Sequence, residues 1–127
     1  MSPSSWEEMV AEARTRVHEI DPTEAKELAD SKGAIIVDVR EPHEWDDAHI
    51  PGAILVPLGQ LQAAADPGSP TAEARLTDHK DTPIVAHCET GKRSLVGADI
   101  LMKLGYSNVS SMTGGILFWA RKGYPID

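Results

Sequence analysis

The sequence predicts an α/β fold, in which helices flank a central, mostly parallel sheet. Short apolar runs rich in β-branched residues alternate along the chain with stretches of helical periodicity. Four of the apolar runs are predicted strands, at residues 34–39, 53–57 and 83–87 and from residue 109 onward. Strands that alternate with helices pair in parallel through right-handed crossovers, so the pattern indicates a single α/β domain.

The helices are indicated by their ends as well as by their periodicity. Helical spacing of apolar residues covers four stretches, at residues 6–17, 58–65, 94–104 and 115–122. We expect the first of these to pack on its own domain. Gly105 and Gly123 follow two of the others, where helix C-caps belong. A fifth helix is predicted at Asp21, an N-cap followed by Pro22 at the first helical position and Glu24 at the third.

Composition and charge narrow the classes of function. The chain has 127 residues with 12 basic and 20 acidic side chains, a net charge of -8. Such an acidic protein is a poor partner for nucleic acid or for an anionic membrane surface. The sequence contains one cysteine, which excludes an internal disulfide and any zinc site that needs two cysteines. The N-terminal segment has neither a basic nor an apolar region of a secretory signal, so we expect a cytoplasmic protein.

The segment His87-Cys-Glu-Thr-Gly-Lys-Arg-Ser94 carries the chemistry. It joins the third predicted strand to a long helix, at the sheet edge where ligands bind in open parallel sheets. Backbone N–H groups that open a helix, together with Lys92 and Arg93, would favour the thiolate form of Cys88. Gly91 permits a turn that a Cβ would hinder. The same donors would bind an anionic substrate, so Cys88 is the candidate nucleophile.

Three other polar residues lie beside the strand ends. His87 should face away from Cys88, because neighbouring residues on a strand point to opposite faces, and we expect it to be a packing residue. Asp38 either orients the Cys88 loop by hydrogen bonds or has a structural role. Arg40 is predicted to be structural, paired with Glu41 or Glu44.

The end of the chain contains a glycine pair and two aromatic residues. Gly114 and Gly115 are not part of a strand–GxGxxG–helix unit, the arrangement that binds phosphate groups. They are predicted to form a tight turn into the last helix. Trp119 is spaced from Ile116 as a core residue would be. Phe118 is expected in the core or in the wall of a pocket.

Four segments of the sequence resemble the rhodanese family of sulfurtransferases, in the family order. They are Ile36-Val-Asp-Val-Arg-Glu-Pro-His-Glu-Trp45, His49-Ile-Pro-Gly-Ala53, Cys88-Glu-Thr-Gly-Lys-Arg93 and Gly114-Gly-Ile-Leu-Phe-Trp-Ala-Arg-Lys-Gly-Tyr-Pro125. The resemblance covers the chain from about Ile20 to its end. The sequence departs from the family at Ala48, where glycine is common, and in a longer stretch at residues 63–82.

The resemblance implies a single rhodanese-like domain at residues 20–127, with about five strands, preceded by a helix at residues 1–19. It implies that Cys88 takes the outer sulfur of thiosulfate or a persulfide and passes it to cyanide, a thiol or a protein. The implied active-site loop consists of Glu89, Thr90, Gly91, Lys92, Arg93 and Ser94, and Asp38 and Arg40 are candidates for its support. No cofactor is implied. A metal site at residues 43–49 is not expected, because nothing fixes the ligands on one face and the resemblance assigns His49 to packing.

Loop length separates sulfur transfer from phosphate hydrolysis. Phosphatases related to the family place five residues between the catalytic cysteine and arginine, whereas four separate Cys88 from Arg93 here. The smaller ring suits a sulfur atom and would crowd a phosphate. Two hypotheses therefore remain: a thiosulfate or persulfide sulfurtransferase, and a relay that carries a persulfide between proteins. An inactive interaction domain is disfavoured, because both Cys88 and Arg93 are present.

Overall fold

The computed structural model describes residues 5–127, and across them a parallel five-stranded sheet is flanked by seven helices. The strands are β1 (His18–Ile20), β2 (Ile35–Asp38), β3 (Ile54–Leu55), β4 (Ile84–His87) and β5 (Val109–Met112). The helices are α1 (Trp6–Arg16), α2 (Pro22–Lys32), α3 (Pro42–Asp47), α4 (Leu58–Ala64), α5 (Ala74–Thr77), α6 (Arg93–Lys103) and α7 (Gly115–Arg121). The strand order is β1-β5-β4-β2-β3, which confirms the predicted α/β class.

The four predicted strands and five predicted helices are present, with ends that differ by a few residues. Three short elements were not predicted. Strand β1 has three residues, two of them exposed, and is defined by its pairing with β5 rather than by an apolar pattern. Helices α3 and α5 have six and four residues, too few to display a helical period.

Side chains that alternate along the strands divide the core between the two faces of the sheet. Val37 and Ala86 belong to a cluster on one face, whereas Ile36 and Val85 belong to a cluster on the other. Helices α1, α4 and α6 pack together on the first face, and α2 packs with α7 on the second. Cys88 belongs to the first cluster.

The first helix packs on the domain, as the sequence predicted. Val10 and Ala13 are buried, and Arg16 donates to both carboxylate oxygens of Asp99 on α6, at 2.9 Å from Nε and 2.7 Å from Nη2. Strand β1 spans the expected boundary between residues 19 and 20, and residues 1–4 lie outside the described part of the chain. The division into segments 1–19 and 20–127 stays a prediction.

The topology places one loop at the centre of the sheet edge. Strand β4 lies between β2 and β5, and the segment after it leads directly into α6. From β4 the chain continues to β5 on one side, while the earlier strands β2 and β3 lie on the other. Ligands of open parallel sheets bind at such a reversal of strand order, outside the carboxyl ends.

No helix in the described residues is long and apolar enough to cross a bilayer.

The cap of α2 gives a test of the predicted helix start. The Asp21 carboxylate accepts a hydrogen bond of 2.8 Å from the Glu24 N–H. We expect Asp21→Ala to lower the free energy of unfolding by about 1 kcal/mol, because this donor loses its partner. Urea denaturation measures the loss. Glu27→Ala is the control, since it removes an exposed carboxylate from the same helix; an equal loss in both variants would contradict the capping role.

Candidate active site

The thiol of Cys88 lies at the end of β4 and is enclosed by the loop that follows. The side chain is 1% exposed. The Gly91 N–H donates to Sγ at 3.1 Å and the Ser94 N–H at 3.4 Å. The second of these donors belongs to the first turn of α6. Two N–H groups, one of them at a helix N-terminus, therefore donate to the sulfur.

Two buried serine hydroxyls, those of Ser94 and Ser111, form a chain of hydrogen bonds with the Cys88 thiol. The Cys88 thiol donates to Ser94 Oγ at 3.5 Å, and Ser94 Oγ lies 2.8 Å from Ser111 Oγ on β5. All three side chains are buried. When the sulfur is ionised, the Ser94 hydroxyl can rotate to donate to it, while Ser111 supplies a partner for Ser94.

The loop is held in place by the start of α7. The Ile116 N–H donates to the Cys88 carbonyl at 2.9 Å, and the Leu117 N–H donates to the Glu89 carbonyl at 3.4 Å. Gly115 has a φ of 58°, and a Cβ there would overlap the carbonyl oxygens of Cys88 and Glu89. The glycine pair thus forms the predicted tight turn and also allows close backbone contact.

The two aromatic residues of α7 have different environments. Trp119 is 3% exposed and belongs to the second core cluster, which confirms its predicted place. Phe118 is 43% exposed, lies 5.4 Å from the Arg121 guanidinium and lines a surface cavity of about 310 Å³. Of its two predicted places, the core or the wall of a pocket, it therefore occupies the second. One residue along a helix turns the side chain by about 100°, which moves it from the core face to the surface.

Arg93 is paired with a carboxylate that the sequence analysis had not assigned to it. Its Nη1 donates to Glu44 Oε1 at 2.6 Å and its Nη2 donates to Oε2 at 2.9 Å. Glu44 lies on α3, and its Oε1 also accepts the Glu41 N–H at 3.0 Å. The hydrogen bonds from Arg93 lower the pKa of Glu44 from 4.5 to about 2, and the same pairing raises the pKa of Arg93.

The other loop residues lie at the surface. Glu89, Thr90 and Lys92 are exposed. Glu89 lines a cavity of about 290 Å³ beside the loop, and Lys92 lines a separate groove with Trp6 of α1. The predicted loop residues therefore surround Cys88 in space, but their two cations differ: Arg93 is paired with Glu44, whereas Lys92 faces a neighbouring groove.

Asp38 and Arg40 form a buried ion pair with each other. Arg40 Nη2 donates to Asp38 Oδ2 at 2.9 Å and to the Ala48 carbonyl at 2.7 Å, and its Nε donates to Asp38 Oδ1 at 3.0 Å. The predicted partners of Arg40, Glu41 and Glu44, were wrong, because the guanidinium folds back onto the strand end instead. This pair shapes the turn from β2 into α3, the helix that carries Glu44.

The buried side chain of His87 lies beside Asp38 and not beside the Cys88 thiol. Its Nε2 lies 3.7 Å from Asp38 Oδ2 and has no hydrogen-bond partner among the described residues. Its Nδ1 lies 3.3 Å from the Cys88 carbonyl oxygen, to which it donates when it carries the proton. Burial lowers the pKa of His87, which keeps the ring neutral near pH 7. The expectation of a packing role agrees with these contacts.

The histidine and acidic side chains at residues 43–49, after β2, are not arranged to bind a metal ion. His49 stacks on Trp45, with ring centroids 3.9 Å apart, and its Nδ1 lies 2.9 Å from the Trp45 carbonyl oxygen. Across residues 5–127, no group of three or more histidine, cysteine, aspartate or glutamate side chains is arranged to hold an ion. The contacts of His49 are those of a packing residue.

Comparisons with known proteins agree with this geometry. The model of the rhodanese-like domain family matches residues 21–122. The chain belongs to the rhodanese-like family. A sulfurtransferase of Allochromatium vinosum is 34% identical over 111 residues, which are 87% of this chain and 94% of that protein. A Bacillus subtilis relative with the provisional name sulfur carrier protein YrkF is 30% identical, over 88% of this chain and 56% of its own.

A solved structure agrees over the whole length of this rhodanese-like chain. It is a Rhodopseudomonas palustris protein of unknown function, described as a possible tyrosine phosphatase, with a TM-score of 0.88 and 29% identity over 100% of this chain and 98% of that one. Some other relatives are longer, and the chain spans 25% of their length. Family membership and the names of the relatives assign the chain a rhodanese-type role in sulfur transfer.

Sequence reasoning missed three contributors to the site of this rhodanese-like domain. Glu44 was considered only as a partner of Arg40, although it lies in one of the family segments. Ser111 was not considered, since nothing in a serine on a predicted strand indicates a contact with a loop 17 residues earlier. The N–H groups of Ile116 and Leu117 follow a glycine pair, and that pair was the one available signal of a close approach.

The glycine at the start of α7 gives a sharp test of loop placement. We expect Gly115→Ala to lower the free energy of unfolding by about 3 kcal/mol and to reduce sulfur transfer, because the Cβ pushes the Cys88 loop from α7. Gly123→Ala is the matched control: it also has a positive φ, of 78°, but its Cβ meets nothing within 4 Å. Its expected loss is about 1 kcal/mol with activity retained. Equal effects in the two variants would contradict this role of Gly115.

The Glu44–Arg93 pair predicts a specific pH dependence of stability. The folded pKa of Glu44, about 2, lies below its ordinary value of 4.5. The pair therefore stabilises the fold fully above about pH 4.5 and loses this contribution as the pH falls toward 2. We expect Glu44→Gln to be less stable than wild type at pH 6, with the difference narrowing at lower pH.

Urea denaturation at several pH values between about 6 and 3 measures this difference. Asp46→Asn is the control, because it removes an exposed carboxylate from the same short helix. A stability difference between Glu44→Gln and wild type that is constant with pH would show that the ion pair does not act through the ionisation of Glu44.

Proposed function

We propose that Cys88 is the nucleophile of this sulfurtransferase and that it carries the sulfur as a persulfide. The donor is thiosulfate or a persulfide, and the acceptor is a thiol or protein, with cyanide as a laboratory substitute. The observation that carries the proposal is the position of Sγ, which accepts hydrogen bonds from the Gly91 N–H in the loop and from the Ser94 N–H in the first turn of α6. These donors can bind the negative charge that the sulfur carries when it attacks as a thiolate.

The reaction proceeds in two displacements that balance without an external oxidant. In the first, the Cys88 thiolate attacks the outer sulfur of thiosulfate, the S–S bond of the donor breaks and sulfite leaves. In the second, an acceptor attacks the outer sulfur of the Cys88 persulfide, and Cys88 leaves as a thiolate. The two backbone donors and the Ser94 hydroxyl bind the charge on sulfur at the beginning and end of the cycle.

The loop length favours sulfur over phosphate as the transferred group. Four residues separate Cys88 from Arg93, one fewer than in the related phosphatases. The Arg93 guanidinium is also held by both oxygens of Glu44, so its two terminal nitrogens already have anionic partners. Both features oppose binding of a tetrahedral phosphate dianion in the loop.

A persulfide relay between proteins is the second candidate. The provisional name of the Bacillus subtilis relative, a sulfur carrier, supports it. The net charge of -8 also supports it, because the protein as a whole repels a thiosulfate dianion. The relay and the enzyme share the Cys88 persulfide and differ in the donor that loads it efficiently.

Intact mass spectrometry tests the persulfide directly. We expect wild type treated with thiosulfate, without reductant, to gain one sulfur, about 32 Da, and to lose it on addition of cyanide. Cys88→Ser should gain nothing while it remains folded, because the exchange of sulfur for oxygen changes the volume little. Circular dichroism of the variant provides the folding control.

The donors then separate the two candidates. Rapid loading by thiosulfate or a small persulfide supports the enzyme, whereas efficient loading only by the persulfide of another protein supports the relay. A sulfur adduct on Cys88→Ser, or no adduct with any donor, would overturn the proposed function.

A further inference from the structure

The arginine of the active-site loop has little charge left for a substrate. Glu44 accepts from both terminal nitrogens of Arg93 at 2.6 and 2.9 Å, and the Glu44 side chain is only 17% exposed. A bidentate carboxylate of this kind neutralises the guanidinium and fixes its plane. Arg93 therefore attracts an incoming anion much less than a free loop arginine would.

The cavity of about 290 Å³ beside the loop is acidic on one side and apolar on the other. Nine residues line it, among them the carboxylates Glu44, Asp47 and Glu89, the apolar residues Leu117 and Ile126, and Arg40. The one cation, Arg40, already pairs with the buried carboxylate of Asp38. Glu89 follows Cys88 in the active-site loop and Glu44 holds Arg93 of that loop, so the cavity adjoins the loop that encloses the reacting sulfur.

The remaining loop cation lies outside this cavity. Lys92 is exposed and lines the separate groove formed with α1. The cavity and the groove share no lining residue. A molecule in the cavity therefore meets Asp47 and Glu89 as exposed charges, and Leu117 and Ile126 as exposed apolar side chains.

We propose that this cavity selects a cationic thiol as the acceptor of the Cys88 persulfide. The carboxylates attract a positive group on the acceptor, and the apolar wall packs against the carbons that join this group to its sulfur. The inference rests on the proposed function, since it names the class of acceptor for that reaction. Such a thiol is either a small aminothiol or a cysteine flanked by basic residues in a protein.

The transfer step needs no further reagent. The acceptor thiolate attacks the outer sulfur of the Cys88 persulfide, the S–S bond breaks, and Cys88 leaves as a thiolate held by the Gly91 and Ser94 N–H groups. The acceptor departs as a persulfide with its positive group unchanged. Asp47 and Glu89 take no part in the bond exchange and act on the local concentration and orientation of the acceptor.

The test measures discharge of the preformed persulfide by three small thiols. Wild type is loaded with thiosulfate or inorganic polysulfide, freed of excess donor, and mixed with cysteamine, 2-mercaptoethanol or mercaptoacetate. The loss of about 32 Da is followed by intact mass. These thiols are similar in size and are cationic, neutral and anionic respectively. In wild type, we expect added salt of about 0.5 M to slow cysteamine severalfold relative to 2-mercaptoethanol and to speed mercaptoacetate relative to it, because the three attacking thiolates differ by one unit of charge each.

A matched pair of variants locates the effect in the cavity. Asp47→Asn and Asp46→Asn change neighbouring exposed residues of α3 and both alter the net charge from -8 to -7, but only Asp47 lines the cavity. We expect Asp47→Asn to lower the ratio of the cysteamine rate to the mercaptoacetate rate about threefold and Asp46→Asn to change it little. Intrinsic thiol reactivity cancels in this comparison, because each thiol is compared with itself.

The pairing of Arg93 is tested separately. Glu44→Gln releases the full charge of Arg93 beside the loop, so we expect the same ratio to fall further than in Asp47→Asn. Because the variant also loosens the loop, the ratio is the readout and the absolute rate is not.

Two short peptides distinguish the sources of a cationic thiol. One has a cysteine between arginines, and the other has a cysteine between glutamates. Faster discharge by the arginine peptide than by cysteamine indicates a basic protein segment, and the reverse order indicates a small aminothiol.

Equal salt dependence for all three thiols, or equal ratios in Asp47→Asn and Asp46→Asn, would overturn the inference and leave the persulfide mechanism intact. Failure to load Cys88, or to discharge it with any thiol, would instead overturn the proposed function.

Discussion

The hydrogen bonds from backbone N–H groups to the Cys88 sulfur are the interaction on which the site depends. They require the chain to leave β4, circle the sulfur within a few residues and enter α6 with its first N–H groups turned inward. Gly91 makes this path possible, with a φ of 103° and the backbone of Gly114 close by. Because the donors belong to the backbone, the site owes its chemistry to the path of the chain more than to any one side chain.

That path is maintained by contacts from three separate elements. Helix α7 donates two backbone hydrogen bonds to the carbonyls of Cys88 and Glu89. Helix α3 contributes Glu44, which fixes the arginine at the end of the loop. Strand β5 contributes Ser111, which supplies a partner for the serine beside the sulfur. Each element is positioned by the sheet, so the burial of the two core clusters also sets the geometry of the loop.

The electric field at the site differs from the one that the number of charged residues in the loop suggests. The sequence places two cations next to one another, which suggests an anion-binding loop. In the fold, one cation is neutralised by Glu44 and the other, Lys92, faces a different groove. What remains is the positive field of two backbone donors at the sulfur and the negative field of a cavity beside the loop, which three carboxylates line. These two fields have opposite signs and act at different distances.

The sequence by itself determined the α/β class, four of the strands, the position of Cys88 after a buried strand and its surrounding loop. These follow from local patterns: periodicity, β-branched runs, caps and the residues that open a helix. Only the tertiary structure decided that Arg93 pairs with Glu44, that Arg40 pairs with Asp38, and that β1 completes the sheet. A guanidinium has several carboxylates within reach along the chain, and a strand of three residues is recognisable only by its partner. Such choices depend on which surfaces the sheet brings together, a property that no local pattern contains.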